Sequence, residues 1–138
     1  QRVPFESLTT VRLARPGERT RILLRSRGIR DAVWSPDGAE LAVETESAKL
    51  DDTLASYPVA GGKPTIWSRW AGPTHIDVAG WWRGLGIGIW LFGGGATRNL
   101  DATPLDVIAR PGAKPRFVAD TLSVPTGNAG VSPAGFFL

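Results

Sequence analysis

Short apolar segments separated by turn residues run along the whole chain. The clearest example is residues 29–43, where two alternating apolar and polar segments flank the sequence Ser-Pro-Asp-Gly at 35–38. Alternation with a period of two, bounded by Gly, Pro and Asp, is typical of β-strands joined by hairpins. Seventeen glycines and eleven prolines interrupt the sequence too often for long helices. The sequence therefore predicts an all-β protein.

The pattern repeats along the chain. Residues 29–34 and 76–81 both begin with Ile, have Ala in the fourth place and end on Trp. Each is followed by a second apolar run, a third strand, a turn rich in Gly and Pro, and a short closing strand. We interpret residues 1–138 as one domain made of a half unit at 5–24, full units at 29–68 and 76–118, and the start of another unit at 128–138.

Four short strands in roughly 45–50 residues is the spacing of β-propeller blades. The chain holds about three blade equivalents, whereas closed propellers have about four to eight. The sequence predicts either part of a longer propeller or half of a six-bladed ring that two copies close, because unpaired edge strands favour pairing. The alternative is an ordinary β-sandwich whose internal similarity is accidental.

The sequence Trp-Ser-Pro-Asp-Gly at 34–38, followed by Glu-Leu-Ala-Val at 40–43, resembles the TolB-like (WD40-like) β-propeller repeat. Partial copies occur at 81–84, where Ser-Pro-Asp is missing, and at 131–138. The resemblance implies a non-catalytic module that binds a protein or peptide in the bacterial cell envelope, as a periplasmic protein or lipoprotein. A second interpretation is the propeller of a serine peptidase of the dipeptidyl-peptidase type, with its hydrolase domain outside this sequence.

Composition narrows the functional classes. The chain has no cysteine, which excludes disulfides and thiolate metal sites. It has no run of about twenty apolar residues, so no membrane span is expected. The formal charge of +3 reflects many arginines, seven of them between positions 12 and 30. We expect these to form a solvated sheet edge or a surface for an acidic partner, and not a nucleic-acid site, because no aromatic residues alternate with them.

Candidate chemistry is sparse. His75 is the only histidine, and no second ligand stands at metal spacing, so we expect a solvated or hydrogen-bonded loop residue. The adjacent Asp51 and Asp52 lack the spacing of a calcium loop and predict a solvated turn. Ser132 is the turn serine of the repeat and is not part of Gly-x-Ser-x-Gly. The sequence predicts no catalytic residue, no cofactor and no metal site.

Six tryptophans are many for this length. Core packing accounts for Trp34, Trp67 and Trp90. The adjacent Trp81 and Trp82 must face opposite sides of a strand. We therefore expect Trp70 or one of this adjacent pair to lie at the surface.

A binding surface follows from the resemblance, because the resembled family binds partners through loops at one mouth of the ring. These loops fall between consecutive units and between the second and third strands of a unit. The candidate partner-binding residues on this sequence, with Trp82 added for its expected exposure, are Arg27, Trp70, His75, Trp82, Arg98 and Asn99.

Overall fold

The computed structural model describes residues 8–14, 16–72, 74–92, 103–121, 130–132 and 135–137. Ten strands form three antiparallel sheets, and two further strands of three residues pair with each other. The described residues contain no helix, and therefore none that is long and apolar enough to cross a membrane. The all-β prediction is confirmed.

Two of the sheets have four strands each, in the same order. Sheet I consists of β3 (Ile29–Trp34), β4 (Glu40–Glu46), β5 (Asp52–Pro58) and β6 (Thr65–Trp70). Sheet II consists of β7 (His75–Trp82), β8 (Gly86–Phe92), β9 (Thr103–Ile108) and β10 (Arg116–Thr121). The remaining strands form two pairs: β1 (Leu8–Leu13) with β2 (Arg21–Arg27), and β11 (Gly130–Ser132) with β12 (Gly135–Phe137).

These strands lie within the units that the sequence delimits, apart from one to three residues at one end of β2, β6, β7 and β10. No closed ring is formed by the described residues, so the assignment of the sheets as propeller blades stays a prediction. The long loop expected after β8 lies outside the described residues, as does most of the one after β10.

The turn between β3 and β4 shows why Ser-Pro-Asp-Gly occurs there. The Ser35 hydroxyl donates to Asp37 Oδ1 at 2.6 Å and accepts from the Glu40 N–H at 2.9 Å. Asp37 Oδ1 also accepts from the Ala39 N–H at 3.0 Å, and Gly38 takes a φ of 70°, which favours glycine. The turn satisfies its own polar groups, so this motif has a structural role.

The main core lies between sheets I and II, and β3 contacts β7 directly. Its buried residues are Val33, Ala42, Leu54 and Trp67 from sheet I and Ile76, Val78, Ile87, Ile89 and Ile108 from sheet II. On its other face, sheet I packs Leu41 and Val43 against Leu24 of β2. Strand β4 is therefore covered on both faces. Its central residues are buried whichever face their side chains point to.

The predictions for the tryptophans are correct in part: Trp70, Trp81 and Trp82 are all half-buried, so the expectation that one of them lies exposed is not met. Trp67 and Trp90 are buried, and the neighbours Trp81 and Trp82 pack against different clusters, which confirms that they face opposite sides. The prediction that Trp34 lies in the core is wrong, because its side chain is 52% exposed. It ends the edge strand β3, where Val33 takes the inward position.

Candidate functional site

Polar and aromatic side chains gather at two places between sheets I and II. One place lies beside the β3–β4 and β7–β8 turns, and we call it the tryptophan groove. The other lies at the opposite strand ends, where Glu46 and Trp70 both pair with Asp52 and where β7 begins. We call the group formed there by Glu44, Asp52 and His75 the acidic cluster.

The tryptophan groove is a cavity of about 390 Å³. The rings of Trp67 and Trp81, which both line it, meet edge to face, with centroids 5.0 Å apart and planes at 77°. The residues that line the groove are Ser35, Pro36, Asp37, Glu40, Trp67, Trp81, Trp82, Arg83, Gly84, Leu85, Gly86 and Ala109. It thus combines aromatic surface with charges of both signs.

A chain of hydrogen bonds fixes one wall of this groove. The Trp67 indole N–H donates to Ser56 Oγ at 3.0 Å, and the Ser56 hydroxyl donates to Glu40 Oε1 at 3.1 Å. Both the Trp67 indole and the Glu40 carboxylate are therefore held in place.

Two facing glycines set the position of Trp82. Gly80 and Gly88 pair across β7 and β8, and a Cβ atom built at Gly88 would overlap the Trp82 ring. The Trp82 ring therefore lies against the backbone of its own sheet. Any side chain at position 88 would displace this ring. Trp82 is half-buried in this position.

The acidic cluster joins the two sheets. Glu44 comes from β4, Asp52 from β5 and His75 from β7, and one potential ligand atom of each lies within 4.8 Å of the others. His75 Nδ1 lies 2.8 Å from Asp52 Oδ2, which also accepts from the Ile76 N–H at 3.0 Å. On the other side of the imidazole, Nε2 lies 3.1 Å from Asp77 Oδ1.

Glu44 is the unusual member of this cluster. Its side chain is 0% exposed, and neither carboxylate oxygen has a hydrogen-bond partner among the described residues. Burial raises the pKa of Glu44 to about 9, because desolvation and the nearby charges of Asp52 and Asp77 oppose its ionisation. The Arg30 guanidinium, with Nε 3.7 Å from Glu44 Oε1, lowers this pKa by a smaller amount.

A β-bulge directs Arg30 toward the glutamates. The pairing of β3 with β4 shifts between Ile29 and Asp31, which leaves Arg30 without a register partner, and its Nη1 bonds Glu46 Oε2 at 3.0 Å. Gly28, at a φ of 69°, accepts from the Glu46 N–H, and a Cβ atom there would overlap the Glu46 carbonyl. Glycine at position 28 therefore permits the approach that holds Glu46 beside Arg30.

Arg30 differs in this respect from the other arginines of the N-terminal segment. The prediction of a solvated edge agrees with the exposure of the described arginines of this segment, which are Arg12, Arg19, Arg21, Arg25, Arg27 and Arg30. Arg30 alone among them also pairs with Glu44 and Glu46. Arg15 lies outside the described residues.

The candidate partner-binding residues divide between the two ends. Arg27 is exposed at the end of β2, Trp70 is half-buried at the end of β6, and His75 belongs to the acidic cluster. Trp82 lines the tryptophan groove at the opposite end of β7. Arg98 and Asn99 lie outside the described residues.

Two expectations about polar residues change. The prediction that Asp52 lies in a solvated turn is wrong, because it begins β5 and is fully buried where it accepts from Ile76. His75 is hydrogen-bonded, but it begins β7 instead of lying in a loop, and only 18% of its side chain is exposed.

Sequence reasoning missed Glu44. The available signal was a glutamate in the middle of the apolar run Leu-Ala-Val-Glu at 41–44, a position that period-two alternation assigns to a solvated face. Only the packing of sheet II on sheet I puts that face, which Glu44 shares with Ala42 and Leu54, in the interior.

No family model, no curated protein and no solved structure matches this chain.

Proposed function

We propose that this chain is a non-catalytic interaction module of the propeller type, and that its tryptophan groove binds a segment of a partner protein or a peptide. The observation that carries the proposal is a preformed groove with three tryptophans and both signs of charge at the junction of sheets I and II. The cell-envelope location rests on the resemblance of the repeat sequence alone.

The chemistry of the groove suits a peptide. Trp and Arg are enriched among the residues that dominate protein interfaces, and the groove offers Trp81, Trp82 and Arg83 next to one another. Its volume of about 390 Å³ lies within the range of about 300–1,000 Å³ typical of ligand pockets. It is large enough for one or two side chains of a bound segment, with Glu40 and Arg83 available to orient polar groups.

The polar groups of the groove support binding over nucleophilic catalysis. Ser35 contributes the single hydroxyl among the lining residues, and that hydroxyl donates to Asp37 while it accepts from the Glu40 N–H. A nucleophile needs a base within hydrogen-bond reach and freedom to approach substrate, and Ser35 is instead part of a turn.

The propeller assignment is supported by the equal strand order of sheets I and II and by the contact between their first strands, β3 and β7. In that arrangement β3 and β7 would line the centre of a ring. The pairs β1–β2 and β11–β12 each have two strands where a blade has four. We propose that a second copy supplies the missing strands. Light scattering coupled to size-exclusion chromatography should then give a dimer mass, and a folded monomer at micromolar concentration would contradict self-association.

Peptide binding is tested by selecting a random peptide library displayed on phage against the immobilised protein. Peptides enriched on the wild type should bind the double variant Trp82→Ala, Arg83→Ala at least about tenfold more weakly, as truncation of dominant interface residues does. Trp34→Ala is the matched control, because Trp34 is exposed outside the groove and should leave binding unchanged. No enrichment, or equal binding to the double variant, would rule the groove out.

A further inference from the structure

Among the described residues, the acidic cluster and its surroundings hold more acidic than basic groups in a buried place. Glu44 and Asp52 are fully buried, and Asp31, Glu46 and Asp77 lie around them. The nearby cation is Arg30, which is bound to Glu46 and stands 3.7 Å from Glu44, while His75 lies between Asp52 and Asp77. Within the described ranges, five carboxyl groups therefore lie around one guanidinium and one imidazole.

The state of Glu44 points to a ligand. A buried carboxylate without a hydrogen-bond partner is rare in folded proteins, because its desolvation is not offset. Both Glu44 oxygens are in this condition, and at least one of them lies within 4.8 Å of potential ligand atoms of Asp52 and His75. A carboxylate aimed at two other ligand groups is the arrangement that a cation would stabilise.

We propose that Glu44, Asp52 and His75 bind a divalent transition-metal cation of the Zn²⁺ type, which links sheet I to sheet II. Zn²⁺ accepts imidazole nitrogen and carboxylate oxygen together, whereas Ca²⁺ takes oxygen ligands only. The 2.8 Å between His75 Nδ1 and Asp52 Oδ2 is slightly below the roughly 3–3.5 Å that separates two ligands of a tetrahedral Zn²⁺ ion, so a small side-chain adjustment suffices.

The surroundings already orient these ligands. Asp77 contacts the second imidazole nitrogen, which is the carboxylate–histidine–metal arrangement common around protein-bound zinc. The Ile76 N–H holds Asp52 Oδ2, and the ring of Phe92 stacks on His75 with centroids 5.9 Å apart. The ligands come from three strands of two sheets, so the bound ion would act as a cross-link and would stabilise their packing.

This chain makes the test unusually clean. It contains no cysteine and one histidine, so an untagged protein offers few competing zinc ligands. After treatment with EDTA and its removal, titration calorimetry with Zn²⁺ should give one site per chain, and saturating Zn²⁺ should raise the melting temperature by several degrees. Ca²⁺ should bind more weakly than Zn²⁺.

Variants assign the ligands. Glu44→Gln and His75→Gln should each weaken Zn²⁺ binding at least about tenfold, the smallest loss expected when a supporting group of a metal site is removed. The matched control is Asp106→Asn, which neutralises a buried carboxyl in sheet II away from the cluster. Circular dichroism in EDTA checks the fold of each variant. If a variant fails to fold, the absorption spectrum of Co²⁺ bound to the wild type is measured instead, and it should show bands of a low-coordinate site.

Several results would overturn the proposal. They are the absence of a stoichiometric Zn²⁺ site in the wild type, equal affinity in Glu44→Gln and the control, tighter binding of Ca²⁺ than of Zn²⁺, or a Co²⁺ spectrum identical to that of the aqueous ion.

Discussion

Sheets I and II have the same strand order, and one row of paired residues differs between them at its buried middle position. In sheet I the row across the first three strands is Asp31, Glu44 and Leu54, and in sheet II it is Asp77, Trp90 and Leu105. The middle position of each row is buried, so a carboxyl group in sheet I stands where sheet II has an indole. Sheet II fills the position with the ring of Trp90, while sheet I fills it with the buried carboxyl group of Glu44. We infer that the difference serves binding.

A second contrast concerns a tryptophan near the end of the first strand of each sheet. Trp34 pairs with Leu41, and Trp81 pairs with Ile87 at the equivalent place of sheet II. Trp81 is covered because sheet I packs against its side of sheet II. Trp34 instead lines a second groove, beside the hairpin residues Arg12 and Arg21, and stays largely exposed. The same residue at the same strand position therefore lies in two environments, set by what packs on each sheet.

The largest expected effect tests the buried position that Trp90 fills in sheet II. Trp90→Ala should lower the free energy of unfolding by about 3–5 kcal/mol, because it leaves a cavity in the core of sheet II. Trp34→Ala, at the exposed position, should change it by no more than about 0.5 kcal/mol. Urea denaturation followed by circular dichroism measures both. Equal losses would mean that the two tryptophans are not buried differently.

The next effect tests the charge balance of sheet I. Arg30→Ala in EDTA should cost about 1–3 kcal/mol, because it removes the guanidinium that bonds Glu46 and faces Glu44. Arg25→Ala removes an exposed arginine from the neighbouring strand and should cost no more than about 0.5 kcal/mol. Chemical denaturation of both proteins in one buffer makes the comparison. A negligible loss for Arg30→Ala would show that the buried carboxyl groups do not need this cation.

The third prediction concerns a substitution that makes sheet I resemble sheet II. Its effect on stability is smaller than that of the first two, and it is neutral or stabilising. Glu44→Leu should leave stability in EDTA unchanged or raise it by about 1–2 kcal/mol, because an apolar side chain replaces a desolvated carboxyl group. The same variant should gain nothing from Zn²⁺. A loss of more than about 2 kcal/mol in EDTA would mean that Glu44 stabilises the fold by itself.

The smallest effect concerns the β3–β4 turn. This turn contains Asp37-Gly38, whereas the β7–β8 turn of sheet II contains Arg83-Gly84. Hydrogen bonds from the Ser35 hydroxyl and the Ala39 N–H lower the pKa of Asp37 below 3.8. The ionised form therefore stabilises the fold above pH 3.8, and this contribution is lost as pH falls through the lowered pKa. Asp37→Asn should lower the melting temperature slightly at pH 7, and the decrease should become smaller as the pH falls below 3.8. A difference independent of pH would contradict this origin.

The sequence predicted those features that depend on neighbouring residues. The alternation of apolar and polar residues predicted the strands, and the turn-forming residues Ser35 and Asp37 predicted the β3–β4 hairpin. Both signals depend on residues only a few positions apart. The acidic cluster could not be predicted in the same way. Glu44, Asp52 and His75 lie on three strands, and their proximity depends on how sheet I meets sheet II. The bulge that turns Arg30 toward Glu46 is likewise a property of strand pairing that alternation does not reveal.

The most direct test is a crystal structure of the untagged protein grown with Zn²⁺, with anomalous data collected on both sides of the zinc absorption edge. The proposal predicts an anomalous peak about 2.0–2.2 Å from carboxylate oxygens of Glu44 and Asp52 and from a nitrogen of His75. The contradicting result is a map without zinc at this place, in which the Arg30 guanidinium contacts Glu44 and balances the cluster.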